Sequence, residues 1–128
     1  VFAQRVPVKV TEMFESRFPS AKNVEWQDKL TMYEATFEIG GVKHQSTFNT
    51  QGEWQSTEKF ITEKELPAEV KDGLEKSKYN DWEKKSFVWL EKPDKAEQYR
   101  IYVEKNALQK KYLYFNKDGQ LDKETITL

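Results

Sequence analysis

The sequence has no cysteine and a single histidine, and these shortages exclude several classes of functional site. A chain without thiols forms no disulfide, uses no thiol nucleophile and holds no thiolate metal centre. The five glycines form no phosphate-binding loop, and no Gly-x-Ser-x-Gly nucleophile motif is present. The chain also has no apolar run near the roughly 18 residues that a membrane-spanning helix requires. We therefore expect neither an enzyme nor membrane insertion.

Neither positive nor negative charge is in large excess. The 21 Lys and Arg residues nearly balance the 22 Asp and Glu residues, and the formal net charge is −1 at pH 7. This balance offers no electrostatic basis for binding nucleic acid. The chain does contain 4 Trp, 6 Tyr and 8 Phe, which are large apolar groups that a folded core can bury. These aromatic residues indicate a folded domain rather than a disordered chain.

The two halves of the chain share a pattern of motifs. The segment 48–54 and the segment 115–121 both read Phe-Asn-x-x-Gly-x-apolar, and Leu66-Pro67 repeats Val6-Pro7. The segment 99–104 likewise matches 33–38. The offset between matching motifs grows along the chain, as a duplication followed by loop insertions produces. The interpretation is a tandem repeat over about 6–62 and 66–128, within a single domain over 1–128.

Hydrophobic periodicity predicts the same elements in each half. Apolar residues at helical spacing, from Val6 to Phe18, predict a first helix over about 7–18. Alternation of apolar and polar residues predicts strands at 24–26, 33–39, 42–48 and 54–61, with a hairpin turn at Gly40-Gly41. A second helix is predicted over 67–78, weakened by Gly73. We therefore predict an α+β fold, an eight-stranded antiparallel sheet with two helices packed on one face.

Six motifs together resemble a known family. They are, in chain order, Phe18-Pro19, Val24-x-Trp26, Tyr33-Glu34-Ala35-x-Phe37, Phe48-Asn49-x-x-Gly52-x-Trp54, Thr57-Glu58 and Leu66-Pro67. The run is similar to PepSY-like proteins with a β-lactamase-inhibitor-protein-like (BLIP-like) fold, exported proteins of Bacteroides-type bacteria. The likeness covers about residues 6–121. It implies a signal peptide, a periplasmic or outer-surface location and the duplicated unit, but it implies no activity.

The chain departs from the inhibitor that gives this fold its name. That inhibitor is cross-linked by disulfides, which this chain cannot form. Its inhibitory loop has no residue-by-residue match here, so no residue of this chain is assigned an inhibitory role. The first residues agree with export, since Val1-Phe2-Ala3 before Gln4 resembles the end of a signal peptide. We expect cleavage near Ala3 and Gln4, and a periplasmic or secreted protein.

The polar motifs predict no catalytic, cofactor or metal site. His44 is in phase with Val42, Ser46 and Phe48 of a predicted strand and has no His, Cys or Asp-x-His partner, which argues against a general base or a metal ligand. The segment Asn116-Lys117-Asp118-Gly119 has a superficial likeness to a calcium loop. The flanking strands, and the loss of the aspartate in the matching segment 49–52, favour a tight turn instead. The carboxylate pairs, such as Glu34 with Glu38, are too numerous for one pair to stand out.

Three tyrosines carry the remaining functional signal. Tyr102, Tyr112 and Tyr114 alternate with residues expected in the core, so they are predicted on the opposite, open face of the sheet, with Trp54 and Trp89 nearby. Tyrosine and tryptophan are enriched at binding hot spots. The alternative is that the tyrosines only form cross-strand pairs that stabilise the sheet.

The sequence supports a non-enzymatic, exported binding module. We expect its partner to be another exported protein, such as a secreted hydrolase, bound through the open sheet face. The alternative is a small-molecule or glycan-binding protein that uses the same aromatic residues for stacking. No cofactor is expected, and the sequence does not predict an oligomeric state.

Overall fold

The computed structural model describes residues 5–127, so the expected cleavage site near Ala3 and Gln4 lies outside the described residues. The elements follow the order helix, four strands, helix, four strands. They are α1 Val8–Arg17, β1 Lys22–Asp28, β2 Met32–Ile39, β3 Val42–Asn49, β4 Trp54–Ile61, a 3-10 turn Glu63–Glu65, α2 Ala68–Glu75, β5 Glu83–Glu91, β6 Gln98–Asn106, β7 Gln109–Asn116 and β8 Leu121–Ile126.

The eight strands form one antiparallel sheet in sequence order, from β1 to β8. This confirms the predicted α+β fold with an eight-stranded antiparallel sheet and two helices. Neither helix of the described part is long and apolar enough to cross a membrane. The duplication of one half to give the other stays a prediction from the sequence.

The chain divides into two compact units. The first unit contains Val1–Lys59 with Lys92–Asp94, and the second contains Phe60–Glu91 with Lys95–Leu128.

In the first unit, α1 packs on one face of the sheet through Val10 and Phe14. The ring of Phe14 meets Phe37 edge-on at 5.0 Å between centroids, a favourable aromatic geometry. Met13 belongs to the predicted helical stripe, yet its side chain is 48% exposed. The buried stripe of α1 is therefore narrower than the periodicity suggested.

The core of the first unit includes hydrogen-bonded polar side chains. Ser46 and Thr57 are buried opposite each other on β3 and β4. The Ser46 hydroxyl donates to the Ser56 carbonyl oxygen at 2.8 Å and lies 3.1 Å from Thr57 Oγ1. The indole N–H of Trp54 also donates to Thr57 Oγ1, at 2.8 Å. Since each polar group has a partner, burial is tolerated.

In the second unit, α2 packs on one face of the sheet over a more apolar core. The buried members of this cluster are Leu66, Val70, Leu74, Tyr79, Tyr99, Ile101, Val103, Leu113 and Phe115. The helix is shorter than the predicted 67–78, because the chain leaves helical geometry after Lys76 to bring Tyr79 into the core.

The two Asn-x-x-Gly segments form the predicted turns. Asn116 Oδ1 accepts hydrogen bonds from the backbone N–H groups of Asp118 and Gln120, at 2.9 and 3.0 Å. Asn49 Oδ1 likewise accepts hydrogen bonds from the backbone N–H groups of Gln51 and Glu53. The glycine of each turn has a positive φ, which only glycine adopts at little cost. The Asn side-chain oxygens thus serve the backbone of the turn.

A bulge follows each of these turns and reverses the direction of the side chains. Thr47 pairs with Ser56 while Phe48 pairs with Trp54, so Gln55 is an extra residue on β4. Asp122 is the corresponding extra residue on β8. An extra residue changes which face the following side chains occupy. Trp54 therefore faces the core, which strict alternation along β4 would not predict.

Candidate functional site

The candidate site is the sheet face of the second unit that points away from α2. Residues on β6 and β7 alternate between this face and the core, and Ile101, Val103, Leu113 and Phe115 are fully buried on the helix side. The residues between them point to the opposite face. We call this surface the tyrosine face; it consists of Arg100, Tyr102, Tyr112, Tyr114 and Lys123.

The register of the strands brings the three tyrosines together. Tyr102 pairs directly with Tyr112, and Tyr114 is the next residue of β7 on the same face. The Tyr102 and Tyr112 rings are 5.0 Å apart between centroids, with 39° between their planes. All three side chains are half-buried, so part of each ring is accessible. The structure thus places these predicted residues in one cluster.

Two cations cover the rings of this cluster. The Arg100 guanidinium carbon lies 5.2 Å from the centroid of the Tyr112 ring. Lys123 Nζ lies 5.2 Å from the centroid of Tyr114. Both distances are in the range of cation–π attraction. Neither Arg100 nor Lys123 was predicted from the sequence. Arg100 is in phase with Tyr102 along β6, whereas Lys123 reaches this face through its pairing with Tyr114 on the neighbouring strand.

A carboxylate lies at one end of the tyrosine face. The Tyr102 hydroxyl donates to Glu104 Oε1 at 2.8 Å. This hydrogen bond, and then burial, raises the pKa of Tyr102 above its usual value of 10.0. Glu104 is also approached by Lys110 at 3.8 Å and by Lys85 at 4.0 Å. At neutral pH Tyr102 is therefore a protonated donor held in a fixed direction.

The two tryptophans assigned to this surface lie elsewhere, and that part of the prediction is wrong. Trp89 pairs with Tyr99, packs against the core cluster of the second unit and donates its indole N–H to Glu97 at 2.9 Å. Trp54 packs against the core of the first unit, with the Arg17 guanidinium carbon 3.4 Å from its ring centroid. The bulge at Gln55 explains why the Trp54 side chain faces the core, because it reverses the alternation of side chains along β4. The continuous apolar run of β5 left the direction of Trp89 ambiguous.

The first unit presents a different surface on the face away from α1. Its side chains there are polar or charged, and several of them hydrogen-bond across the strands. Thr47 Oγ1 lies 2.7 Å from Ser56 Oγ, and Gln45 Nε2 donates to Thr36 Oγ1 at 3.4 Å. Tyrosine clustering on the open face is therefore a property of the second unit.

His44 has the environment of a core residue. It is 9% exposed, its ring stacks on Phe37 at 5.4 Å, and its Nδ1 lies 2.8 Å from the Val42 carbonyl oxygen. Within residues 5–127, no group of three His, Asp or Glu side chains could hold a metal ion.

Two cavities of the second unit have no tyrosine in their lining. One, of about 260 Å³, lies beside α2 and is lined by Glu63, Leu66, Lys71, Leu74, Glu75, Asn80 and Lys84. The other, of about 490 Å³, is lined by Asp81, Glu83, Glu104, Lys105, Asn106, Ala107 and Lys110. Neither is lined by aromatic residues, so neither has the usual lining of a small-molecule site.

Comparison with solved structures places this fold among proteins of Bacteroides species. A BLIP-like protein of Bacteroides fragilis NCTC 9343 superimposes with a TM-score of 0.90 at 25% identity, over 97% of this chain and 88% of that one. A DUF2874 family protein of Bacteroides ovatus ATCC 8483 gives a TM-score of 0.90 at 24% identity, over 96% and 89% of the two chains. A protein of Bacteroides eggerthii DSM 20697 described as "putative periplasmic" gives 0.88 at 22% identity, over 96% and 90%.

No curated protein matches the chain. A family model does match, over residues 31–123, which is well over half of the chain; its description is "Putative beta-lactamase-inhibitor-like, PepSY-like". The two strands that carry the three tyrosines, β6 and β7, lie entirely within the matched residues. The chain belongs to this PepSY-like, β-lactamase-inhibitor-like family.

Proposed function

We propose that this chain is an exported, non-enzymatic binding module that engages a protein partner through the tyrosine face. The observation that carries the proposal is the cluster of three half-buried tyrosines with Arg100 and Lys123 on one sheet face. Tyrosine and arginine are over-represented among the residues that dominate protein interfaces. Tyrosine also supplies rigid contact area and a hydroxyl that can hydrogen-bond.

A protein partner fits the geometry better than a sugar that stacks on the rings. The Tyr102 and Tyr112 rings are tilted by 39° and therefore form no flat platform. One side of the Tyr112 ring is covered by Arg100, and one side of the Tyr114 ring by Lys123. A surface of partly covered rings on a sheet suits the broad contact of two proteins.

Export is part of the proposal. A structural relative from Bacteroides eggerthii is described as "putative periplasmic", and the sequence around Ala3 resembles a signal-peptide end. A chain without cysteine needs no disulfide to fold in that compartment.

The experiment is a pull-down from a periplasmic extract of a Bacteroides species. The immobilised chain is compared with the Tyr112→Ala/Tyr114→Ala double variant, and captured proteins are quantified by mass spectrometry. We expect specific partners to be lost from the double variant, since truncation of hot-spot residues typically costs 2 kcal/mol or more each.

The matched control is a Gln45→Ala/Thr47→Ala double variant, which alters the polar open face of the first unit. It should retain the partners. Circular dichroism melting establishes that each variant is folded before capture. Equal recovery by wild type and the tyrosine variant would contradict the proposal, and binding to a glycan array that needs the tyrosines would favour the sugar-binding alternative.

A further inference from the structure

Strand β8 is the last strand of the sheet, and among the described residues it pairs only with β7. The backbone N–H of Thr127 donates to the Lys110 carbonyl oxygen at 3.2 Å, so these two residues form a hydrogen-bonded pair of the ladder. Hydrogen-bonded and non-hydrogen-bonded pairs alternate along antiparallel strands. Thr125 therefore directs its backbone N–H and carbonyl groups to β7, whereas Glu124 and Ile126 direct theirs away from the sheet.

The charged side chains on the regular part of β8 lie toward β7 and not over the outer edge. Natural edge strands avoid pairing with other chains by placing charges, above all lysine, along the edge. Here Lys123 Nζ lies 5.2 Å from the centroid of the Tyr114 ring on β7. The Glu124 carboxylate accepts hydrogen bonds from Lys111 on β7, at 2.9 Å, and from the Tyr79 hydroxyl. The contacts of both charges therefore draw them away from the edge that they would otherwise protect.

An apolar side chain is exposed at this edge. Ile126 pairs with Lys111 on β7, and its side chain is 74% exposed. It lies on the α2 side of the sheet, because Lys111 on that side reaches the buried Tyr79. On the opposite side Thr125 pairs with Tyr112, so the edge is continuous with the tyrosine face. The edge thus combines outward backbone groups with an exposed apolar group.

We propose that β8 binds an extended segment of the protein partner, which adds to the sheet as a further strand. The backbone groups of Glu124 and Ile126 select this occupant, because their N–H donors and carbonyl acceptors match those of another extended polypeptide. An apolar residue of the segment covers Ile126, and the adjoining part of the partner contacts the tyrosine face. This inference rests on the proposed function and names how the backbone of the partner is held.

A second copy of this chain is a poorer occupant of the edge. Two β8 strands related by a twofold axis pair antiparallel, with one residue opposite itself at the centre. Centring the pair on Lys123 or on Glu124 places like charges opposite each other, which is destabilising. Centring it on Thr125 leaves backbone hydrogen bonds only between Glu124 and Ile126 of the two copies, a contact far smaller than stable dimers use.

The experiment selects phage-displayed random peptides against the full chain and follows amide hydrogen exchange by NMR. In the unbound chain, the amides of Glu124 and Ile126 should exchange faster than those of Thr125 and Thr127, whose N–H groups point to β7. A synthetic peptide that adds as a strand should slow exchange at Glu124 and Ile126 about tenfold, the effect of roughly one hydrogen bond. Exchange at the two threonines should change little. This alternation distinguishes strand addition from contact through side chains.

Ile126→Pro removes one outward N–H and no hydrogen bond to β7, a substitution that edge strands tolerate on their solvent side. It should weaken the synthetic peptide about tenfold in fluorescence polarisation. Ile126→Ala keeps the N–H and is the matched control, with a loss of about threefold. Methylation of alternate backbone nitrogens of the peptide tests the same hydrogen bonds without changing the protein, and methylation of the bonded set should abolish binding.

The outcomes separate this inference from the proposed function. Failure to select any peptide that Ile126→Pro weakens, or protection without alternation, would overturn strand addition. If the selected peptides still need Tyr112 and Tyr114, the proposed function stands without it. If peptides need the β8 edge but bind the Tyr112→Ala/Tyr114→Ala variant equally, strand addition is supported and the tyrosine face loses its support. A dimer in analytical ultracentrifugation that Ile126→Pro abolishes would make a second copy the occupant and overturn the partner segment.

Discussion

At the scale of single residues, glycines decide how closely a helix and a turn can approach. In the second unit, Gly73 on α2 lies against Gly119 in the turn between β7 and β8. A Cβ added to Gly73 would fall well inside van der Waals contact with the Gly119 carbonyl oxygen. A Cβ on Gly119 would meet the Glu69 carbonyl oxygen in the same way. The obstacle in both cases is backbone, which cannot move aside cheaply.

The first unit has a looser version of this contact. A Cβ on Gly52, the matching turn glycine, would lie 3.0 Å from the Lys9 carbonyl oxygen. The residue on α1 that matches Gly73 is Met13, whose side chain is about half exposed. From the sequence alone Gly73 is only a weak point in a helix, because its close contact with Gly119 depends on tertiary structure.

Gly73→Ala gives the first prediction, in which the sign of the effect is the test. In an exposed helix, Gly to Ala stabilises by about 1 kcal/mol. Here the new methyl group overlaps the backbone of Gly119, so we expect destabilisation of about 2 kcal/mol. Urea denaturation measures the change as a lower midpoint with an unchanged slope.

The control for this substitution is Glu75→Ala, which also introduces alanine on α2 at an exposed position. It should change the free energy of unfolding by less than about 0.5 kcal/mol. If Gly73→Ala raises the urea midpoint, the close contact between α2 and the turn does not exist in solution.

At the scale of elements, a network of hydrogen bonds connects β8, the last strand, to the loop that follows α2. The buried Tyr79 donates its hydroxyl hydrogen to Glu124 on β8, and Lys111 on β7 donates to both, at 2.9 Å in each case. Strand β8 is the last in the sheet order and has a hydrogen-bonded strand neighbour only in β7 among the described residues. The network therefore adds side-chain hydrogen bonds to β8, whose backbone pairs with a strand on one side only.

The pH dependence of stability gives the second prediction. The hydrogen bond from Tyr79, and then that from Lys111, lowers the pKa of Glu124 below its usual value of 4.5. A carboxylate with a lowered folded pKa stabilises the fold above the unfolded pKa, and this contribution is lost as the pH falls through the folded pKa. Hydrogen bonds to Tyr79 and Glu124 raise the pKa of Lys111 above 10.5, so its contribution is lost only in strong base.

Glu124→Gln tests this network. At pH 7 the variant should have a lower urea midpoint than wild type, because the charge that interacts with Lys111 is gone. The gap should begin to close as the pH falls below 4.5, where this carboxyl binds a proton in the unfolded chain, and it should disappear below the lowered pKa of the folded state. Glu75→Gln, on the exposed end of α2, is the matched control with no gap expected. A gap that stays constant from pH 7 to pH 3 would show that ionisation of Glu124 contributes nothing.

Most elements could be predicted from the sequence because their signals are local. The strand Trp54–Ile61 was predicted with its observed bounds, and α1 differs by one residue at each end from the predicted 7–18. The faces of Trp54 and Trp89 could not be predicted. One depends on a bulge, which is a property of the pairing with β3, and the other lies in an apolar run without alternation.

At the scale of the whole molecule, the same order of elements carries two different cores. Among the described residues, the cluster under α2 has nine buried hydrophobic residues, whereas the cluster under α1 has five. The core positions of the first unit also include buried Ser46 and Thr57. Hydrogen-bonded polar groups contribute less to stability than the apolar burial they replace. The second unit, which carries the tyrosine face, therefore has the more apolar core.

The rigidity of the tyrosine face bears on the proposed binding, since ordering a surface on association reduces affinity. Tyr102 alternates along β6 with Ile101 and Val103, which are fully buried, and Tyr112 and Tyr114 flank the fully buried Leu113. Each ring is thus attached to backbone that the core of its own unit holds in place. A pre-organised face of this kind would lose little conformational entropy on association.

Amide hydrogen exchange gives the third prediction, because it measures local opening in each unit separately. After correction for intrinsic rates, we expect the amides of Ile101 and Leu113 to exchange roughly tenfold more slowly than those of Ala35 and Phe37. A tenfold ratio corresponds to about 1.4 kcal/mol in opening free energy. Exchange is followed by NMR at neutral pH. Equal protection in both sets would mean that the chain opens as one cooperative unit, and that the difference between the two cores does not lead to different local stability.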